Sequence, residues 1–228
     1  TWANEIIILD SGSSDNTLEI TKKYTNNIHI SDTWPGFGKQ RQNAQKLATS
    51  DWIFMLDADE EISSNLKNSI LQVIDGDPDI YQVNRLSKAF GHEVKRSGWY
   101  PDWINRLYPK NLTTYNDALV HETLVIPEQC KPKKISGILH HETYRSMQDY
   151  YQKMSIYIDA WSTQNIDKKT GGFFIGLIRG QWAFFKMYIL KLGFLDGFVG
   201  IILAILRYET TIMKYVDLKI KKTARNKE

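Results

Sequence analysis

The chain has 228 residues, 42% of them hydrophobic and 24% charged, with a formal net charge of +3. That is enough for one large domain or a domain with an appendage, and it excludes a disordered or low-complexity chain. The mild, dispersed positive charge argues against a nucleic-acid partner. Cys130 is the one cysteine, which leaves no intrachain disulfide and no Cys-based zinc site and fits a reducing compartment.

Residues 5 to 9, "EIIIL", form a continuous apolar run of the kind buried on both faces of a parallel sheet. The run comes so soon after the first residue that the expectation is an N-terminally truncated sheet lacking its first strand. In "DSGSSDNT" that follows, Ser13, Ser14 or Asp15 can cap a helix carrying Leu18 and Ile20. A short strand "NIHIS" and the loop "DTWPGFG" come next. A helix through "KQRQNAQKLATS" then places Ala44, Leu47 and Ala48 on one face. The second long apolar strand, "DWIFML", ends at Asp57. This β-α-β-α-β order predicts a doubly wound parallel sheet with right-handed crossovers.

Both long strands end in an aspartate, Asp10 and Asp57. Ligands of open α/β sheets sit outside the carboxyl ends of strands, so these acidic loops are expected at one crevice. A helix over 63 to 75 buries Leu66, Ile70 and Val73. The pattern then shifts to shorter strands, "IYQVNRL", "HEVKR", "INRLYPK" and "KKISGILHH", which read as a mixed sheet carrying an acceptor site. Residues 146 to 163 form an amphipathic helix. The expected division is a catalytic domain over 1–145 and a helical region over 146–228.

In "DADEEI", the Asp57-x-Asp59 spacing at a strand end suits a hard divalent cation, Mg²⁺ or Mn²⁺, which bridges phosphates and stabilises charge on a departing diphosphate. Glu60 and Glu61 are expected to belong to the turn into the next helix. An EF-hand beginning at Asp10 fails, because its sixth and twelfth positions are Asp15 and Thr21. Neither acidic loop has the haloacid phosphatase pattern, and there is no P-loop.

At this point "IIILDSGSSDNT" and "WPGFGKQRQNAQKLATSDWIFMLDADEEIS" resemble glycosyltransferase family 2. "SGWYPDWINRLYPK", "VHETL" and "ILHHETYRSMQDYYQK" extend the likeness toward lipopolysaccharide and lipooligosaccharide core β-1,4-glucosyltransferases. The resemblance implies a GT-A fold, which is a Rossmann-like mixed sheet flanked by helices, and inverting transfer from a UDP-sugar to a lipid-linked saccharide. Asp10, Ser11, Gly12 and Asp15 would then lie at the donor nucleotide, with Lys39 and Arg41 at its diphosphate. Asp57 and Asp59 become the metal motif, with Asp59 the more direct ligand and His121 a candidate for its shell. His140 and His141 are alternatives, of which only one is expected to enter the site.

Inversion needs a carboxylate that deprotonates the acceptor hydroxyl. Glu122 in "VHE" is the first candidate and Asp102 in "YPDW" the second. Trp99, Tyr100 and Trp103 offer faces to sugar C–H groups, and Arg106 a charge for the acceptor. A catalytically silent sugar-binding module is the alternative reading.

Beyond residue 173 the longest uncharged run is "GFVGIILAIL", against the roughly 20 residues a spanning helix needs. Amphipathic helices lying in the membrane interface are expected instead, with Trp182, Phe184, Phe185 and Tyr188 and a basic tail toward anionic headgroups. The implied location is the bacterial cytoplasm, peripheral on the cytoplasmic face of the inner membrane.

Overall fold

The computed structural model describes residues 2–119 and 122–226. The first apolar run forms β1 (Ile8–Asp10), joined through α1 (Thr17–Thr21) to β2 (Ile28–Ile30). The two strands pair in parallel, Ile8 opposite Ile28 and Asp10 opposite Ile30. Asp15, not Ser13 or Ser14, serves the start of α1, its Oδ1 accepting the Thr17 N–H at 3.0 Å.

The remaining strands are β3 (Trp52–Phe54), β4 (Glu60–Ile62), β5 (Tyr81–Ala89), β6 (His92–Glu93), β7 (Asp102–Pro109) and β8 (Lys133–Tyr144). Their order is β3-β7-β5-β8-β4, with β6 on β5. The parallel arrangement expected of all the early strands stops at β1 and β2. β3 instead runs antiparallel to β7, with Trp52 opposite Pro109 and Phe54 opposite Leu107. The fold is therefore mixed α/β, a central sheet flanked by helices.

A second correction concerns Glu60 and Glu61. They form β4, not a turn into a helix, because their backbone pairs with His141 and His140 of β8. The next helix, α3 (Ser64–Val73), has no acidic residue in its first turn and buries Leu66 and Ile70.

Two compact units divide the chain by their internal contacts. The first is Thr1–Asp57, Ser64–Val83 and Ile104–Gly137; the second is Ala58–Ser63, Asn84–Trp103 and Ile138–Glu228. The core of the first joins Ala48, Ile53, Ile80, Tyr108, Tyr115 and Leu124. Its helix α2 (Phe37–Leu47) meets the apolar face expected of it only in part: Ala48, at its end, is buried in this core. It buries Gly38, Gln40 and Gln45, while Ala44 and Leu47 are half-buried. Gln45 is satisfied inside, donating to the Lys110 and Thr113 carbonyls at 2.8 Å and accepting from the Tyr108 hydroxyl at 3.1 Å. A fully hydrogen-bonded amide avoids most of the penalty of burial.

The second unit carries α4 (Met147–Gln164), α5 (Phe173–Phe185), a π-helical turn Lys186–Leu190, a 3₁₀ turn Gly193–Asp196 and the long helix α6 (Gly197–Arg225). Ser146 caps α4, its Oγ accepting the Asp149 N–H at 3.1 Å, while Asp149 accepts the Arg145 N–H at 3.0 Å. Ala89, Val94, Met187, Val199, Leu203 and Ala204 form the core here. Among the described residues no single helix is long and apolar enough to cross a membrane.

Candidate active site

In the first unit, Asp10 closes β1 and is buried. Its carboxylate accepts the Gly12 and Ser13 N–H groups at 2.8 Å and the Ser13 hydroxyl at 2.5 Å. The Ser13 hydroxyl, together with these amides, holds the Asp10 carboxyl below its ordinary value against the cost of desolvation. Gly12 supplies the turn with φ of +95°, a conformation costly for any residue with a Cβ. The Ser11 hydroxyl accepts Gln40 Nε2 at 2.8 Å, tying this loop to α2. Asp15 is exposed and engaged by the Thr17 hydroxyl.

The loop before α2 lies against residues 116–119. A Cβ on Gly38 would stand 2.0 Å from the Asn116 carbonyl oxygen, so only glycine fits. The Phe37 and Gly38 N–H groups donate to the Leu119 and Ala118 carbonyls. Two of the amides that a helix start offers to anions are thereby taken. Lys39 is exposed and paired with Asp117 at 2.8 Å.

Arg41 is turned inward. Its Nε lies 2.7 Å from Glu122 Oε1 and its Nη2 lies 2.7 Å from Asp57 Oδ1. Arg106 Nη2 meets the other oxygen of Asp57 at 2.7 Å. Two guanidinium groups and two carboxylates thus form a formally neutral network, with Arg41 also over the Tyr115 ring at 5.3 Å. Burial raises the Asp57 carboxyl, but Arg106 and Arg41 outweigh it and hold the group far below the usual carboxylate range. Burial pushes the Tyr108 and Tyr115 hydroxyls up, so both are neutral donors.

Two residues beyond Asp57, Asp59 belongs to the second unit. Its Oδ2 is 3.5 Å from His141 Nε2 and 3.5 Å from Lys153 Nζ. The ring is oriented from its other nitrogen, where Nδ1 meets the Ser87 and Thr143 hydroxyls at 3.1 Å. A cavity of about 420 Å³ opens on this pair. Asp59, Glu60, Glu61 and Glu142 border it, with Lys88 and Arg145, although the Glu60 side chain itself is buried. His140 borders it as well, its Nδ1 buried without a hydrogen-bond partner. Of the two, it is His141 whose ring meets Asp59.

Beside it, Arg85 bridges Asp102, at 2.8 Å, and the fully buried Glu60 side chain at 3.5 Å. Asn84 links Asp102 to Tyr100, accepting the Asp102 N–H at 3.1 Å and donating to the Tyr100 hydroxyl at 3.0 Å. Trp99 packs on the core of the second unit, its ring 6.0 Å from Tyr144, and Trp103 is half-buried. His121 lies outside the described residues.

Among the described residues, no three His, Cys, Asp or Glu side chains converge as a metal cage. Asp59 and His141 are the residues that could hold an ion in a sparser site, with Lys153 Nζ beside the same Asp59 oxygen. Donors 3.5 Å apart can share one ion, and a Mg²⁺ or Mn²⁺ in nucleotide enzymes takes one or two protein ligands and completes its shell with phosphate oxygens and water. Asp57, by contrast, is committed to two arginines. Sequence reasoning did not single out Arg85, Lys153 or the glutamines of α2, because polar residues at such positions ordinarily read as solvated.

The chain belongs to glycosyl transferase family 2, whose model matches residues 3–162. It is 25% identical over 235 residues to an uncharacterized glycosyltransferase of Rickettsia prowazekii, covering 96% of this chain and 80% of that protein. It is likewise 25% identical over 205 residues to the lipopolysaccharide core biosynthesis glycosyltransferase LpsC of Rhizobium meliloti, covering 85% of this chain and 72% of LpsC. A shorter match, 39% over 72 residues, links 31% of the chain to 17% of the glycosyltransferase SunS of Bacillus subtilis.

Proposed function

We propose that the chain transfers a hexose, glucose from UDP-glucose, with inversion onto an inner-core sugar of a lipid-linked lipopolysaccharide or lipooligosaccharide. The observation that carries this reading is the Asp59–His141 pair on an acid-lined cavity in a family 2 chain. The likeness to LpsC supports the acceptor class.

The loop from Asp10 to Asp15 is the reading's nucleotide contact, with Lys39 and Arg41 its diphosphate contacts. Asp59 and His141 would hold a divalent cation, which supplies positive charge to the leaving diphosphate. Asp57 serves it indirectly, by fixing Arg41 and Arg106. Trp99, Tyr100, Trp103 and Arg106 are assigned to the acceptor. Glu122 is the first candidate base and Asp102 the second. Each now rests on an arginine, Arg41 or Arg85, so each would present its remaining carboxylate oxygen to the acceptor hydroxyl.

The test is UDP release across a panel of nucleotide sugars, with and without core oligosaccharide. The expected result is release from one donor that rises when the acceptor is added. No release from any donor with any acceptor overturns the proposal. Binding without release identifies a silent sugar-nucleotide module instead. Glu122→Gln and Asp102→Asn then separate the two bases, because loss of the base lowers kcat by about 10²–10⁴ while leaving donor affinity intact.

A further inference from the structure

α5 is built inside out. Its small residues face the protein: a Cβ on Gly176 would lie 3.0 Å from the Ile212 backbone, and one on Gly180 3.0 Å from that of Tyr208. Phe174, Ile178, Trp182 and Phe185, spaced by four, four and three residues, form one stripe on the opposite side of the helix. All four are exposed, Phe174 at 76%. Phe184 and Tyr188 pack inward on the core, so the outward stripe is a different set from the one the sequence suggested.

The stripe runs into an elbow. α5 with its π-helical turn meets the segment from Gly193 onward at 70°, and neither arm by itself is long and apolar enough to cross a bilayer, though the bent pair together passes that test of length and composition. The elbow itself exposes Leu190, Leu192, Phe194, Leu195 and Phe198, the last at 77%. It is pinned from beneath, so these side chains cannot fold inward. Asp196 accepts the Lys95 and Arg96 N–H groups at 3.1 and 3.0 Å and the Ser97 hydroxyl at 2.8 Å. The Ser97 N–H donates to the Lys191 carbonyl at 2.9 Å.

We infer that this stripe and elbow insert into the headgroup region of an anionic phospholipid bilayer, as a one-sided membrane anchor. Charge selects the occupant. Between Phe173 and Leu195 the charged residues are Arg179, Lys186 and Lys191, all exposed and all positive. The one acid of the elbow, Asp196, is consumed by backbone amides. A two-fold dimer on this face would set the same cations against their own copies, whereas acidic headgroups complement them. The basic tail contributes less than its sequence promised, because Lys221 is paired with Asp159 and Asp217 and Arg225 with Asp167. The inference rests on the proposed function only in giving the anchor its purpose, delivery to a lipid-linked acceptor.

The test is sedimentation of the full chain with vesicles of phosphatidylcholine alone or mixed with phosphatidylglycerol, comparing wild type with Trp182→Glu/Phe198→Glu. The expected result is binding to the anionic vesicles that weakens with salt and falls about tenfold or more in the variant. The variant should keep its circular dichroism and its UDP release on a soluble acceptor fragment. Equal binding of wild type and variant overturns the inference, as does no binding by wild type. So does a wild-type dimer that the variant dissolves, which would make the stripe a self-interface. UDP release on the soluble acceptor reads the transferase proposal separately, so either can fail alone.

Discussion

Arg106 closes on Asp57, Nη2 to Oδ2 at 2.7 Å, with the arginine side chain 5% exposed. An arginine that deep is stable only with its counter-charge in place, and Asp57 serves both Arg106 and Arg41. The repulsion implied by Asp57, Asp59, Glu60 and Glu61 in one short run is thus relieved chiefly by arginines. Glu60 has Arg85 in the same role.

Replacing Asp57 with Ala leaves two buried guanidinium groups short of a partner. Fully buried pairs cost roughly 3–5 kcal/mol when broken, and because Asp57 is one-third exposed the expected loss is about 2–3 kcal/mol. The folded-state pKa of Asp57 lies below its unfolded value, so its contribution is complete above about pH 4 and fades as pH falls toward the folded value. Urea midpoints for wild type and variant should therefore differ most at neutral pH and converge in acid. A constant difference down to pH 3 contradicts the assignment.

Gly38→Ala tests how the Glu122 segment is positioned. The new methyl group would meet the Asn116 carbonyl, which is backbone and cannot swing aside as a side chain would. The expected cost is about 1–3 kcal/mol or more, with a displaced 116–119 segment and a weakened Arg41–Glu122 pair. Thermal unfolding reads the first effect. The second appears as a fall in kcat larger than any change in donor KM.

The elements legible in the sequence are those whose burial is apolar. β3, β5, β7 and β8 follow runs such as "DWIFML" and "KKISGILHH", and α3 follows Leu66 and Ile70. β4 was hidden because "EEI" is two-thirds carboxylate and pairs with a strand almost 80 residues away. α2 was legible only in part: Ala48 reaches the core, but the buried glutamines and the inward Arg41 are revealed only by tertiary partners such as Tyr108, Glu122 and Asp57. At the candidate site the aspartates were legible from motif spacing. Their pairing with Arg106, His141 and Lys153 was not, since no local pattern predicts an ion pair over 49 to 94 residues.

Asp59 and His141 make the cation assignment testable without a known acceptor. Wild type should bind UDP more tightly with Mn²⁺ present than with chelator. Asp59→Ala should abolish that gain, and His141→Ala should reduce it while preserving metal-free binding. Calorimetry with and without chelator reads both. A metal-independent affinity in wild type, unchanged in Asp59→Ala, removes the cation from the proposal.

Lys214 supplies a pH dependence of the same sign as that of Asp57, but in an alkaline window and from a destabilising charge that is removed as pH rises. Burial, then the neighbouring charges of Arg207 and Lys169, push its ammonium from 10.5 down to about 8. Its Nζ also sits 5.8 Å from the Trp161 ring, which Lys169 approaches at 5.0 Å. Below about pH 8 the folded chain carries a charged lysine that it would rather release. Between about 8 and 10.5 the unfolded chain binds more protons than the folded one, so this residue makes stability rise with pH across that window. Lys214→Met should raise the urea midpoint at pH 7, and the advantage should shrink toward zero by about pH 10. A variant less stable than wild type at pH 7 would show instead that the ammonium is held by a favourable contact.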